Sequence, residues 1–191
     1  MCVARLRTLN LAFAALAITL AFGLSRAHAQ SKPFKIKGTS YAPDGISLIP
    51  YTAAPHSTTG QATELGKYTG EGWFQILEYT SATTASFSSA PNFVFVAANG
   101  DHLAVTYGDT DNGAAQSGEV TLTPNEDGSF TASFVAEFNP DLPNCTGRFA
   151  KLTGGSWIMY AESDPFFILG NSTTPFGVTW HGEGTLEFKN D

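Results

Sequence analysis

The chain has 191 residues, with ten Lys or Arg against seventeen Asp or Glu, and 42% of its residues are hydrophobic. A chain of this length and hydrophobic content can bury a core of its own and fits a single domain. Phosphate backbones are bound by clusters of Lys and Arg, whereas the basic residues here are few and scattered. The composition therefore argues against nucleic acid and anionic lipid surfaces as partners.

The first 29 residues contain the three parts of a secretory signal peptide. Arg5 and Arg7 give a positive start, residues 9–24 are almost wholly apolar, and residues 27–29 (Ala-His-Ala) supply small residues for cleavage. We expect cleavage after residue 29, a secreted or periplasmic protein, and no membrane span after cleavage. The mature domain, residues 30–191, has seven basic and seventeen acidic residues, a net charge of −10. An uncleaved N-terminal anchor is the alternative, although the apolar run is short for one.

From residue 30 onward the sequence predicts short strands separated by turns. Lys35-Ile36-Lys37 alternates polar and apolar side chains, as a half-buried strand does, and residues 42–45 contain a Pro-Asp-Gly turn. Residues 46–51 form a second predicted extended segment, which Pro50 interrupts. Residues 58–79 are the longest extended region, and the glycines within it predict bulges, bends or close approach of the backbone.

The later strands are joined by tight hairpins. Asn99-Gly100 is the strongest short hairpin signal and connects predicted strands at residues 93–97 and 102–107. Residues 130–138 alternate cleanly, with Phe or Ala at every second position. Further strands are predicted at residues 119–123, 156–162, 166–169 and 176–188, and a short helical turn at residues 147–154.

Helix signals are almost absent after residue 30, and eight to ten short strands with tight turns favour an all-β fold. The long alternating stretches and in-strand glycines predict a closed antiparallel barrel of about eight strands, because glycines let strands coil and close. A β-sandwich is the alternative fold, although the Cys–Trp–Cys pattern of immunoglobulin domains is missing.

Three short segments carry a resemblance to a known family. Residues 60–69 resemble the pattern G-x-A-T-H-L-G-x-(F/Y)-T, residues 98–101 match A-N-G-D, and residues 147–154 match G-R-F-x-x-x-x-G. These patterns recur in bacterial secreted proteins of unknown function, whose barrels in turn resemble the allene oxide cyclase and dirigent barrels of plants. The resemblance implies an eight-stranded barrel with an apolar cavity and no established reaction. The chain has Glu64 where the pattern usually has His.

The sequence predicts no metal site and no cofactor. Residues 109–113 have oxygen-bearing side chains at the spacing found at the start of a calcium-binding loop. The later positions of such a loop lack the required ligands, so a solvated acidic turn is the preferred interpretation. The His181-x-Glu183 triplet lacks the cysteine partner motif of zinc deaminases. Cys145 has no partner within residues 30–191 and is expected to be buried, with a reactive thiol as the alternative.

No catalytic signature is present, so a binding or structural role is preferred over an enzyme. His181 and Glu183 are the candidates for general acid–base catalysis. They lie on a predicted strand, on which His181 should point away from Trp180. The many aromatic residues predict an apolar interior, which is either packed by its own side chains or partly open to a ligand. The candidate ligand-binding residues are Tyr68, Phe95, Phe134 and Trp180, and the predicted interior also contains Phe87, Phe93 and Phe138.

Three functions follow from this interior. The first is a secreted barrel that binds a small apolar ligand. The second is a cyclase-like or isomerase-like barrel enzyme, which would need polar groups such as His181, Glu183, Tyr68 or Asn92 to converge in the cavity. The third is a structural or surface protein with a filled barrel. Neither the ligand nor the oligomeric state is defined by the sequence.

Overall fold

The computed structural model describes residues 29–190, and within them the fold is all-β, as predicted. The predicted signal peptide therefore lies outside the described residues except for Ala29. Three short 3-10 helices, at Thr110–Asn112, Leu142–Asn144 and Gly147–Lys151, are the helical segments of the described chain. The strands are β1 (Gln30–Ala42), β2 (Ala54–Ala62), β3 (Gly66–Tyr79), β4 (Thr84–Ala97), β5 (His102–Tyr107), β6 (Gly118–Pro124), β7 (Phe130–Pro140), β8 (Leu152–Ser163), β9 (Ile168–Leu169), β10 (Ser172–Thr173) and β11 (Phe176–Phe188).

Antiparallel pairing connects the long strands in a ring of eight positions. Around the ring, β1 pairs with β2, β2 with β3, β3 with β4, β7 with β8, β8 with β11, and β11 with β1. The short strands β5 and β6 lie end to end in one position, because each pairs with both β4 and β7. The hairpin of β9 and β10 is separate from this sheet.

Alternation along the strands gives the ring an apolar inner face and a polar outer face. In β1, Phe34 and Ile36 are buried, whereas Lys35 and Lys37 between them are exposed. The residues at alternate positions of β7 are buried or partly buried, as the predicted alternation requires. Burial of large apolar side chains on one face is the main stabilising term for such a sheet.

The two ends of the ring differ in how they are covered. We call the end with the β2–β3 turn, the β4–β5 turn and the 3-10 helix Gly147–Lys151 the motif end, and Phe149 is fully buried there. The opposite end, which we call the loop end, carries the connection of residues 43–53 and the β9–β10 hairpin. These two segments hold each other, because Leu48 N–H donates to the Asn171 carbonyl at 2.8 Å and Ser47 forms a bridge with Ser172.

The glycines within strands provide room for aromatic rings. A Cβ on Gly72 would collide with the Phe93 side chain, and one on Gly182 would lie 2.8 Å from Cδ1 of Trp157. Since real Cβ contacts are longer than this, these positions exclude larger residues while the rings stay in place. The predicted close approach therefore occurs between strands and inward-facing aromatic side chains.

Several predicted segment boundaries were wrong. Residues 58–79 are not one extended region, because a turn at residues 63–65 separates β2 from β3. Residues 46–51 form no strand and contain one isolated bridge at Ser47, because Pro50 has no N–H and Tyr51 has a positive φ of 59°. The strand predicted at residues 166–169 is limited to Ile168–Leu169. Strand β4 begins at Thr84, before the predicted residue 93, since its small Ser and Ala residues hide the alternation.

Candidate functional site

A cavity of about 80 Å³ lies in the half of the ring nearer the loop end. Its lining is mainly aromatic and includes residues from β1, β2, β3, β4, β5, β7, β8 and β11. Half-exposed Tyr41 also borders it. The lining contains three of the four predicted ligand-binding residues, Phe95, Phe134 and Trp180, together with Phe87, Phe93 and Phe138.

The fourth predicted ligand-binding residue, Tyr68, lies beside the cavity lining. Its ring packs edge-on against Phe95, with 5.2 Å between the ring centroids, and lies 6.3 Å from Trp180. Its hydroxyl donates to the Lys37 carbonyl at 3.0 Å. Burial raises the pKa of Tyr68 well above its usual value, so this hydroxyl stays protonated. Tyr68 therefore supports the cavity wall, and its one hydroxyl proton is already used in a hydrogen bond.

Two polar side chains meet inside this aromatic surrounding. Nε2 of His56, on β2, lies 3.0 Å from the Tyr107 hydroxyl on β5, and that hydroxyl donates to the Trp73 carbonyl at 2.9 Å. The His56 ring also packs on Phe93, with 4.8 Å between centroids. Both His56 and Tyr107 line the cavity. They bring hydrogen-bonding capacity into a mainly apolar space.

Burial shifts the acid–base behaviour of both groups toward their neutral forms. Desolvation lowers the pKa of His56 from 6.5 to about 4, and it raises the pKa of Tyr107. His56 is therefore neutral at pH 7 and a weak base. A general base works best with a pKa near the working pH, so this environment suits hydrogen bonding better than proton abstraction.

A second polar contact in the lining is internally satisfied. Trp180 Nε1 donates to the Thr58 hydroxyl at 3.0 Å, and that hydroxyl donates to the Thr39 carbonyl at 2.8 Å. Thr58 is almost fully buried, and each group in this chain has its partner. The contact fixes the Trp180 ring as part of the cavity wall.

The two predicted acid–base candidates lie on the outer face of β11 and do not reach the cavity. His181 is exposed and stacks on Tyr160 with 5.7 Å between centroids, while Glu183 is exposed and pairs with Lys35 at 3.1 Å. Strand alternation explains this placement, because inward-facing Trp180 places residues 181 and 183 outside. His181 thus points away from Trp180, as predicted.

Other polar residues singled out in the sequence are also engaged away from the cavity. Asn92 Nδ2 donates to Asp141 at 3.0 Å. Asp109 caps the 3-10 helix at Thr110–Asn112 by accepting the Asp111 N–H at 3.0 Å. Within residues 29–190 no three His, Cys, Asp or Glu side chains are grouped so that they could hold a metal ion. No helix in that range is both long and apolar enough to cross a membrane.

Cys145 is a buried free cysteine, as the preferred interpretation expected. Its Sγ lies 3.5 Å from the Ala104 carbonyl, and burial raises the pKa of the thiol. A raised pKa keeps the thiol protonated and unreactive at neutral pH. The cysteine therefore packs as a small apolar residue.

The three short motifs of the sequence meet at the motif end. Arg148 forms an ion pair with the Glu64 carboxylate and donates through Nη1 to the Glu64 carbonyl at 3.0 Å. The Asp101 carboxylate accepts the Arg148 backbone N–H at 3.2 Å and the Asn99 side-chain amide at 3.0 Å. These contacts tie the two turns and the 3-10 helix together, so the motifs serve the structure of this end.

Sequence reasoning missed His56 and Tyr107 as site residues. Two signals were available in the sequence. Ala54, His56 and Thr58 alternate along one face of β2, and Tyr107 lies on an apolar face of β5. Irregular residues 43–53 before β2 concealed that alternation. Comparison of the chain with protein-family models, with curated proteins and with solved structures gave no match.

Proposed function

We propose that the mature domain is an exported, closed antiparallel β-barrel that binds a small apolar molecule in its interior. The ring of strand pairings supports closure, because no long strand then remains as an unpaired edge. The signal-peptide pattern of residues 1–29 supports export. The observation that carries the binding role is the cavity lined by aromatic rings, since apolar lining with a few polar groups is typical of ligand sites.

The cavity size limits the ligand. Pockets for drug-sized ligands measure about 300–1,000 Å³, and an engineered cavity of about 150 Å³ binds benzene. At about 80 Å³, the cavity suits a molecule of a few heavy atoms, and a single ring needs modest movement of the lining. Two lining residues can supply such movement. Met159 has a flexible side chain, and Ile46 lies in the connection that covers the loop end.

Ligand binding is favoured over the two alternatives by different observations. Against an enzyme, the histidine inside the cavity has a lowered pKa and is a weak base. Against a purely structural role, the cavity retains a polar pair, His56 and Tyr107, that a filled core has no need to bury.

Methionine methyl NMR tests the binding proposal. The chain has two methionines, Met1 and Met159, so methyl-labelled full-length protein gives two signals that Met159→Leu assigns. We expect fluorobenzene to shift the Met159 signal with saturation, because Met159 lines the cavity. Ala161→Leu, which fills the cavity, should abolish the shift.

Thr179→Leu is the control, because it introduces the same side chain at a residue that is exposed on the outer face of β11. It should leave the fluorobenzene titration unchanged. A Met159 signal that does not move in the natural protein up to the solubility limit of fluorobenzene would contradict the proposal.

A further inference from the structure

The hydrogen bonds of Tyr107 determine the tautomer of His56. The tyrosine hydroxyl has one proton, and the Trp73 carbonyl at 2.9 Å can only accept it. The contact of 3.0 Å between Tyr107 Oη and His56 Nε2 must therefore use the proton of Nε2. A neutral imidazole with its proton on Nε2 has an unprotonated Nδ1 whose lone pair can accept a hydrogen bond.

Nδ1 of His56 has no hydrogen-bond partner among the described residues. The fully buried side-chain N and O atoms without a partner in this part of the chain are Asn139 Nδ2 and Trp157 Nε1. Nδ1 is not one of them, so it keeps some accessible surface. Since His56 lines the cavity and its Nε2 edge is occupied by Tyr107, Nδ1 is an available acceptor at this site.

The surroundings restrict what can be donated to Nδ1. Aromatic rings form most of the lining, and His56 itself packs on Phe93 at 4.8 Å. An ammonium donor would lose its hydration without an opposite charge in the lining, which is costly, whereas a neutral hydroxyl loses much less. The burial that lowers the pKa of His56 keeps the acceptor neutral at pH 7.

We propose that the ligand of this cavity is a small, neutral, largely apolar molecule that carries one hydroxyl group, of the phenol or alcohol class. Nδ1 of His56 accepts the hydroxyl proton, and the aromatic lining contacts the apolar part. This inference rests on the proposed function and adds the chemistry of the ligand. His56 acts as the specificity-determining residue, because a ligand without a donor leaves the Nδ1 acceptor of this cavity-lining residue unpaired.

The test compares phenol with fluorobenzene, which has the same number of heavy atoms and no donor. Dissociation constants for both are measured from the Met159 methyl signal of the full chain, in the natural protein and in His56→Phe. We expect the ratio of the fluorobenzene dissociation constant to the phenol dissociation constant to fall about tenfold in His56→Phe. This is the effect of losing one hydrogen bond to an acceptor that the bound ligand covers. Ser40→Ala is the matched control, because Ser40 is another hydroxyl residue on the lining, and it should keep the ratio.

Each result has a distinct meaning. An equal ratio in the natural protein and in folded His56→Phe would overturn the inference while the proposed binding function stands. Failure of both probes to bind the natural protein would overturn the proposed function and, with it, this inference. A ratio that falls as much in Ser40→Ala as in His56→Phe would also overturn the assignment to His56.

A second measurement on the natural protein covers the case in which His56→Phe does not fold. Histidine ¹⁵N spectra distinguish an unprotonated Nδ1 from a protonated one, and the non-titrating variant His56→Gln assigns the His56 signals. We expect phenol to shift the Nδ1 resonance of His56 and fluorobenzene to leave it nearly unchanged. Equal shifts with both probes would overturn the inference.

Discussion

At the residue scale, in-strand glycines and interior aromatic rings depend on each other. A Cβ on Gly60 would collide with the Lys37 carbonyl and with the Tyr68 hydroxyl, a clash that includes backbone atoms and cannot be relieved by a rotamer change. We expect Gly60→Ala to lower the free energy of unfolding by about 1–3 kcal/mol, the usual cost of overpacking. Urea unfolding of the two proteins measures the difference.

Gly154→Ala serves as the control for this substitution. A Cβ at Gly154 would approach the Glu187 carboxylate at 3.1 Å, and that flexible side chain can move aside. We expect a change in the free energy of unfolding within about 0.5 kcal/mol. Equal destabilisation by both substitutions would show that close approach at Gly60 is not the cause.

The partly buried His56 gives a second prediction at this scale, on pH dependence. Its pKa is about 4 in the folded chain and 6.5 when unfolded, so between these values the unfolded chain binds the extra proton. Stability is therefore lost as the pH falls from about 6.5 to 4 and is fully present above 6.5. We expect the natural protein to lose about 2 kcal/mol more than His56→Gln between pH 7 and pH 4.5.

Urea unfolding at the two pH values measures this difference, and the carboxylates common to both proteins cancel. Gln keeps an N–H donor for Tyr107 and does not titrate, which makes it the appropriate comparison. Parallel loss of stability in both proteins would mean that His56 titrates in the folded state as it does when unfolded.

Residue-level prediction from the sequence succeeded where strand alternation was uninterrupted. Trp180 and Phe134 face the cavity and His181 faces outward, because a period of two fixes these directions once a strand is assigned. The pairing of His56 with Tyr107 was not predictable, since it joins residues 51 positions apart through the register of several strands. Only the folded ring brings their side chains together.

At the scale of elements, the motif end is held by contacts between segments that are far apart in sequence. The Glu64 side chain is largely buried, with 16% exposed, and Arg148 is 45% exposed. A double-mutant cycle with Glu64→Ala and Arg148→Ala should give a coupling energy of about 0.5–1 kcal/mol, typical of a partly shielded ion pair. Unfolding free energies of the four proteins supply the value.

The Lys35–Glu183 pair is the control cycle, because both side chains are about two-thirds exposed, at 64% and 67%. We expect its coupling energy to be below about 0.3 kcal/mol, since solvent screens it. A Glu64–Arg148 coupling no larger than this would contradict the view that the ion pair fastens the 3-10 helix to the β2–β3 turn.

Element prediction depended on how strongly each segment alternates. The hairpin at Asn99-Gly100 and strand β7 were predicted well, because turn chemistry and alternation agree there. The first half of β4 was missed, since its Ser and Ala residues are buried on both faces near Ser88 and Ser89. The error at residues 46–51 was an overprediction. This apolar segment looks like a strand, but it covers the loop end without joining the sheet.

At the scale of the whole molecule, the ring of eight strand positions explains both the packing and the cavity. Aromatic side chains from strands that are not neighbours fill the motif-end half, where Phe34 of β1 packs on Trp157 of β8 with 4.8 Å between ring centroids. Small residues such as Ala42, Ala54 and Ala161 on the loop-end half leave the space that the rings do not fill. The all-β class was predictable from the sequence, whereas the size of this space depends on the packing of individual side chains.

The most direct test of the central claim is a crystal structure of the protein under xenon pressure. Xenon occupies apolar cavities too small for most organic ligands, so it suits a space of about 80 Å³. The account predicts a closed barrel with xenon inside it, bounded by Phe93, Trp180 and Met159. An interior without xenon, or an opening between β3 and β4 in place of their pairing, would contradict it.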